Sequence, residues 1–208
     1  MKGFMFFIIF VLIVIGAIVW VGKDYIFPVE WKYRLTVEIE TPDGIKTGSA
    51  VRKIRASKNF AGVINNAAPI VMYEVMGEAV AIPLGERILF ISIGDDAYEQ
   101  VYAAFGYASG DDWKQIQSVL RLEKGERAEL KKRIGNFYTF MDEADPVSLE
   151  RLTSQDFARV FGEGVFFKGA TVEIVDDVIS WRVATLLPPD FTIMIRPIGI
   201  EYFIRKGS

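Results

Sequence analysis

The sequence predicts an α+β fold, with an N-terminal single transmembrane helix followed by one β-rich domain of hairpins with several short helices packed on the sheet. Three patterns lead to this prediction: an uncharged apolar run at the start, alternating apolar and polar residues over 32–41, and apolar residues at helical spacing in the middle. A content of 51% apolar and 25% charged residues is typical of a globular domain. The predicted organisation is a transmembrane anchor at 1–22, a juxtamembrane segment at 23–31 and a single soluble domain at 32–208.

The apolar run covers residues 4–21, which are eighteen consecutive uncharged residues. A helix of this length, rising about 1.5 Å per residue, would extend about 27 Å and nearly match the roughly 30 Å hydrocarbon core of a bilayer. A secretory signal has a shorter apolar region and small residues before its cleavage site. Here the bulky Ile15 and Trp20 stand where such a site would need small residues. The sequence therefore favours a retained anchor over a cleaved signal peptide or a buried core helix.

Charges on the two sides of the apolar run give little indication of its orientation. Lys2 precedes the run, and Lys23, Lys32 and Arg34 follow it, which leans slightly toward a cytoplasmic domain. Long domains cross the membrane largely regardless of such charges, and the segment resembles an uncleaved export signal. We therefore expect a single-pass protein of the bacterial inner membrane with a periplasmic domain. Aromatic residues suited to the membrane interface follow the run: Trp20, Tyr25 and Trp31.

The clearest strand prediction is a hairpin that pairs residues 32–41 with 45–55. Residues 32–41 alternate apolar and polar side chains, which is typical of a strand with one buried face. Pro42-Asp43-Gly44 then supplies turn residues. A three-residue loop would place Glu40 opposite Lys46, an arrangement that charge complementarity favours.

The remaining elements are predicted from shorter patterns. A second hairpin, 77–84 with 87–93, is continuously apolar and is expected to be central, with both faces buried. Further strands are expected at 69–76, at 137–141 and from Ala170. Short helices are expected after Asp95-Asp96, after Asp111-Asp112, between Thr153 and Gly162, and after Asp177.

The chain contains no cysteine and no histidine. Cysteine nucleophiles, Ser-His-Asp triads, Cys/His zinc sites and histidine-ligated haem are therefore excluded. Proton transfer near neutral pH would need an aspartate, glutamate, lysine or tyrosine with a shifted pKa. Nothing in the sequence indicates a cofactor.

The net charge of −3 hides a difference between two parts of the chain. Residues 23–60 carry eight Lys/Arg and five Asp/Glu, whereas residues 61–208 carry fifteen and twenty-two. The basic part, next to the predicted anchor, could contact anionic lipid headgroups or form a solvated strand face. We expect no nucleic-acid partner, because no strongly basic face with interleaved aromatic residues is present.

Two short motifs lack the context that their chemistry needs. Lys46-Thr47-Gly48 matches a motif of penicillin-binding enzymes, but the accompanying Ser-x-x-Lys does not occur in the chain. Gly162-Glu163-Gly164 follows a predicted helix instead of opening one, so it favours a helix end and a turn over a phosphate-binding loop.

Carboxylates are the remaining candidates for chemistry. They form one cluster with Asp142, Glu143 and Asp145 and a second with Asp176 and Asp177. A pair drawn from both clusters could hold a divalent cation or act as acid and base. The alternative is that these residues are turn and helix-cap residues, a common use of aspartate.

Three stretches together cover about a third of the chain: YRLTVEIETPDGIKTGSAV, GEAVAIPLG and FMDEADPVSLERLTSQDFARVFGEGVFFKGATVEIVDD. They resemble a family of small bacterial membrane-anchored proteins with an N-terminal apolar segment and no assigned activity. The resemblance implies an architecture and assigns no catalytic residue.

The leading functional hypothesis is a single-pass envelope protein that contacts the lipid bilayer through residues 4–21. Its domain would bind a protein partner at the membrane, as a non-catalytic binding protein or accessory subunit of a membrane complex. One alternative is a carboxylate-dependent, metal-assisted hydrolase that uses Asp142, Asp145, Asp176 and Asp177. Another is a domain that binds lipid or a small ligand between the sheet and the helices.

Overall fold

Two antiparallel sheets organise the domain. The computed structural model describes residues 9–14, 16, 27–59, 71–108, 113–179, 181–188 and 203–205. Within these ranges the strands in chain order are β1 (Val29–Thr41), β2 (Gly44–Lys58), β3 (Val71–Glu78), β4 (Val80–Leu84), β5 (Arg87–Ile91), β6 (Arg127–Glu129), β7 (Phe137–Phe140), β8 (Leu149–Leu152), β9 (Phe166–Ile174) and β10 (Ile204–Arg205). One sheet has the order β10-β3-β2-β1-β9-β6, and the other has the order β4-β5-β7-β8. The α+β class is thereby confirmed.

The β1–β2 hairpin is present, but its predicted register is wrong by one residue. Thr41 pairs with Gly44 across a two-residue loop, so Glu40 lies opposite Ile45 and not opposite Lys46. Gly44, at φ +109°, joins β2 instead of completing the loop. A shift of one residue moves every side chain of a strand to the other face.

The register decides where Arg52 lies. In the observed pairing Arg52 is opposite Tyr33, on the inner face of the sheet, and both side chains are fully buried. The predicted register would have turned Arg52 toward the outer face.

A single core fills the space between the two sheets. Alternate residues of β1 supply one wall: Trp31, Tyr33, Leu35, Val37 and Ile39. The chain passes from the first sheet to the second at Gly77 (φ +139°), where β3 leads almost directly into β4. The sheets come close at Gly48, because a Cβ atom there would lie 2.5 Å from Cγ1 of Ile82.

The second sheet confirms the predicted hairpin around Gly85-Glu86 but not its central position. Of the two strands of this hairpin, β4 lies at the edge of its sheet and β5 lies inside it. Pro83 is exposed there, as expected for a residue that cannot donate a ladder hydrogen bond. A second, smaller cluster covers the other face of this sheet: Ala79, Phe90, Tyr138, Phe140, Val183, Phe203 and Ile204.

Three short helices close the core: α1 (Glu99–Phe105), α2 (Trp113–Val119) and α3 (Phe157–Phe161). Their buried apolar residues face the sheets: Val101, Tyr102, Ile116, Val119, Phe157 and Val160. The helices expected after Asp95-Asp96, after Asp111-Asp112 and between Thr153 and Gly162 are confirmed, and Asp111 and Asp112 themselves lie outside the described residues. After Asp177 only a 3₁₀ turn, Val183–Thr185, forms within the described ranges.

Within the predicted span at 4–21, the structure describes residues 9–14 and 16, and these are helical. The rest of the span lies outside the described residues. No helix in the part of the chain that the structure describes combines the length and the apolar character needed to cross a bilayer. One interfacial aromatic was predicted wrongly: Trp31 belongs to β1 and is buried in the core beside Tyr73 and Tyr102. Trp20 and Tyr25 lie outside the described residues.

Candidate functional site

The first carboxylate cluster lies in the loop that joins β7 to β8. One carboxylate oxygen of Asp142 accepts the backbone N–H of Ala144 at 2.9 Å, and one of Asp145 accepts that of Val147 at 2.9 Å. The hydroxyl of Ser148 donates to the carbonyl oxygens of the same two aspartates, at 2.8 and 2.7 Å. These are the local hydrogen bonds of aspartate-stabilised turns, so the loop uses its carboxylates to set its own backbone.

The second cluster follows β9, in the other sheet. The carboxylate of Asp177 accepts a hydrogen bond from Arg34, and that of Asp176 lies 3.4 Å from the ammonium nitrogen of Lys124. Across the described ranges, no three of the carboxylates come together in a group that could hold a metal ion. The carboxylates of the first cluster therefore bond to the backbone of their own loop, and those of the second cluster contact nearby basic side chains.

The largest of the fully buried side chains is that of Arg52, whose guanidinium lies between the sheets. It donates to Oε1 of Gln100 at 2.8 Å, to the carbonyl of Ser92 at 3.2 Å, and to the carbonyls of Glu78 and Ile91 at 3.4 Å each. The hydroxyl of Tyr33 donates to the same Gln100 oxygen at 2.8 Å. Every acceptor is a neutral oxygen, so the charge is held by dipoles and not by a carboxylate.

Burial gives Tyr33 an unusual pKa. Desolvation raises the pKa of its hydroxyl to about 12, against the opposing effect of the Arg52 charge and hydrogen bond. A shifted pKa beside a buried charge can mark a functional site. Here both side chains are fully enclosed, and Gln100 continues the network by donating to the carbonyls of Arg133 and Ile134 at 2.8 and 3.0 Å. The network ties α1 to both sheets and offers no access for a substrate.

An aromatic cluster adjoins this network on the inner face of the first sheet. Trp31 meets Tyr73 and Tyr102 edge to face, with ring centroids 6.4 and 6.3 Å apart, and Tyr73 stacks on Tyr98 at 3.9 Å. Nε1 of Trp31 is buried and has no hydrogen-bond acceptor in the described part of the chain. The cluster is closed by its own packing.

The outer face of the first sheet is a ladder of ion pairs. Glu173 lies 2.7 Å from Arg34 and 2.9 Å from Arg127, while Glu30 lies 2.7 Å from Lys53. The hydrogen bond from Arg127 is the main reason that the pKa of Glu173 is lowered. Three basic residues of 23–60, Arg34, Lys53 and Arg55, are therefore paired with carboxylates on neighbouring strands, as expected for a solvated strand face.

An open cleft remains at one end of the domain, where three connections meet. They are the β1–β2 turn, the β4–β5 turn and the segment that joins α3 to β9. The cleft has a volume of about 230 Å³. Its lining mixes apolar and charged side chains: Thr41, Pro42, Asp43, Lys46, Leu84, Gly85, Phe161, Glu163 and Val165. We call this site the tip cleft.

Local packing holds the walls of the tip cleft in place. Gly164, at φ +81°, lies against Pro42 so closely that a Cβ atom would sit 3.0 Å from the proline Cγ. The guanidinium of Arg87 donates to the carbonyl of Val160 at 2.9 Å, which fastens α3 to the second sheet. Buried Leu84 and Val165 form an apolar floor.

The charged residues of the tip cleft are exposed and available. Asp43, Lys46 and Glu163 form no ion pair with any residue in the ranges that the structure describes. The sequence places Lys46 in a hairpin strand and in a motif that lacks context, and Glu163 in a second such motif, but it predicts no site that contains both. Lys46 and Glu163 line the same cleft because the turns that carry them meet in space. No local sequence pattern predicts that contact between turns.

Comparisons of the chain with models of protein families, with curated proteins and with solved structures found no match. The resemblance that the three sequence stretches suggest therefore stands on those residues alone. What the tip cleft can do follows from its own geometry and charge.

Proposed function

We propose that this chain is a single-pass protein of the bacterial envelope whose domain binds a protein partner, as a non-catalytic accessory subunit at the membrane. The observation that carries the proposal is the tip cleft, an accessible site with unpaired charges at the end of β1.

The exposed apolar side chains of the N-terminal segment support the anchor. In the helical stretch 9–14, Phe10 and Ile13 are each 64% exposed, and their neighbours are exposed as well. Consecutive large apolar residues on all sides of a helix are unfavourable in water and suit a lipid environment. The anchor at 4–21 would bury them in the bilayer.

The tip cleft lies at the end of β1 that is farther along the chain from the apolar run. The strand begins at Val29, eight positions after the apolar run, and continues for 13 residues to Thr41. At about 3.3 Å per residue it extends about 40 Å. With the anchor in the inner membrane and the domain in the periplasm, the tip cleft would face a partner that stands beside the protein or above it.

Binding is favoured over catalysis because the carboxylates already serve other roles. Asp142 and Asp145 stabilise a turn, and Asp176 and Asp177 contact basic side chains of the first sheet and its neighbouring loop. The tip cleft, at about 230 Å³, is also smaller than the roughly 300–1,000 Å³ of typical small-molecule sites. A projecting group of a protein partner suits this volume better than a cofactor or a lipid.

Membrane fractionation tests the proposal. The full chain should remain in the membrane fraction after carbonate extraction, whereas a version that lacks residues 1–22 should appear in the soluble fraction as a folded monomer. Full-length protein that leaves the membrane in carbonate would contradict the anchor. Proteolysis of spheroplasts, which should degrade a periplasmic domain, tests the orientation separately.

A further inference from the structure

We propose that the tip cleft receives a basic side chain, an arginine or a lysine, from a polypeptide partner. This inference rests on the proposed function, because it assigns a chemistry to the partner of the same site. It is argued from the volume of the cleft, from the sign of its charge and from the apolar residues beside it.

The volume limits the occupant to about one large side chain. A cleft of about 230 Å³ is too small for a drug-sized ligand, which usually occupies at least about 300 Å³. An arginine or a lysine combines an aliphatic stem with a charged end, and such residues lay the stem along apolar surface while the charge stays solvated. Leu84, Phe161 and Val165 provide that surface.

The charge of the site favours a cation. Asp43 and Glu163 line the cleft, and Glu86 is exposed in the adjoining β4–β5 turn. Among the described residues that line the cleft, Lys46 is the one cation. A guanidinium placed between two carboxylates would form charge-assisted hydrogen bonds, which are about twice as strong as neutral ones. The ammonium of Lys46 would be free to donate to a main-chain carbonyl of the partner.

A direct test measures the binding of a defined peptide to the full-length protein in mild detergent. The probe is a dye-labelled peptide Gly-Leu-Arg-Leu-Gly with blocked ends, followed by fluorescence anisotropy. A matched peptide carries citrulline, which keeps the shape of arginine and removes its charge, and a third carries glutamate. We expect the arginine peptide to bind at least about tenfold more tightly than either of the others.

Variants of the protein locate the binding. Asp43→Asn combined with Glu163→Gln removes both carboxylates of the cleft and should weaken the arginine peptide by at least about tenfold. Asp142→Asn combined with Asp145→Asn makes the same change of charge in the β7–β8 loop and should leave the affinity unaltered. Circular dichroism of both double variants verifies that they remain folded.

Several outcomes would overturn the inference. They are equal binding of the arginine and citrulline peptides, tighter binding of the glutamate peptide, an unchanged affinity of the cleft variant, or no saturable binding by about 5 mM peptide. None of these outcomes affects the fractionation result. If the protein stays in the membrane but does not bind the peptide, only this inference is contradicted. If it binds the peptide but leaves the membrane, only the anchor is contradicted.

Discussion

At the scale of single residues, Arg52 is the most unusual member of the interior. A fully buried guanidinium normally needs a carboxylate, because moving an unpaired charge out of water is very costly. Here four neutral oxygens, from Gln100 and from the backbone of Glu78, Ile91 and Ser92, take its place. The arginine donates to acceptors on α1, on β3 of the first sheet and on β5 of the second, so it joins α1 to both sheets.

Replacing Arg52 tests this role. Arg52→Met keeps most of the volume but removes the arginine donor from the carbonyls of Glu78, Ile91 and Ser92, and we expect the free energy of unfolding to fall by about 2–4 kcal/mol. Denaturant titration followed by tryptophan fluorescence measures the change. Arg55→Met is the matched control: its side chain is 44% exposed, its ion pairs are long at 3.6 and 3.7 Å, and its loss should cost less than about 1 kcal/mol. Equal losses for the two variants would contradict the role.

Two buried tyrosines make the domain sensitive to alkaline pH. Desolvation raises the pKa of both Tyr33 and Tyr102 from 10.0 to about 12. The unfolded chain releases these protons near pH 10 and the folded chain near pH 12, so stability is complete below pH 10 and falls as the pH rises toward 12. Each group alone would remove about 3 kcal/mol over this interval.

Tyr33→Phe should therefore reduce the alkaline loss by about half. The measurement is the free energy of unfolding at pH 9 and at pH 11.5, for the natural chain and for the variant. The phenylalanine also removes the hydrogen bond to Gln100, which lowers stability by a similar amount at both pH values. A loss between the two pH values that is the same in both proteins would show that Tyr33 does not carry it.

At the scale of elements, Gly48 sets the distance between the sheets. A Cβ atom at this position would lie 2.5 Å from Cγ1 of Ile82 and 2.7 Å from the backbone oxygen of Ala81, so β2 could not approach β4 as it does. The glycine was noticed in the sequence only as part of a rejected motif. Its structural role is to leave room for the edge strand of the second sheet.

Gly48→Ala should destabilise the domain by about 1–3 kcal/mol, because the contact with backbone cannot relax as a side-chain contact can. Gly169→Ala is the control: it also lies in a strand of the first sheet, and a Cβ atom there would meet nothing within 4 Å. We expect the control to change stability by less than about 0.5 kcal/mol. Thermal unfolding measures both variants. If Gly48→Ala and Gly169→Ala unfold at the same temperature, the tight contact at Gly48 is contradicted.

Strong local patterns predict most elements and two of the hairpins, but not the register of the first hairpin or the way the hairpins join into sheets. The alternation over 32–41 predicts β1, and Thr153 predicts the start of the helix that ends at Gly162. The register of the first hairpin was predicted wrongly, because Gly44 fits either a loop position or a strand position. β6 and β8 were not predicted, since these short strands carry charged residues and lack the apolar run that predicts β7.

At the scale of the whole molecule, the tip cleft depends on contacts that local patterns cannot encode. The turn after β1, the turn after β4 and the segment after α3 were each predicted as turns or helix ends, but they are far apart in the sequence. They meet because β1 pairs with β9 and because the second sheet packs over the first. The carboxylates that the sequence offers as candidates for metal binding or acid–base catalysis instead stabilise a turn and form ion pairs.

One labelling measurement tests the central claim, that residues 4–21 hold the chain in the membrane with the tip cleft on the outer side. Because the chain has no cysteine, single substitutions give clean probes. In bacterial cells with a permeabilised outer membrane, we expect Asp43→Cys to react with a membrane-impermeant maleimide, and Lys2→Cys to react only after the inner membrane is broken. Reaction of both probes before lysis, or of Lys2→Cys alone, would contradict the claim.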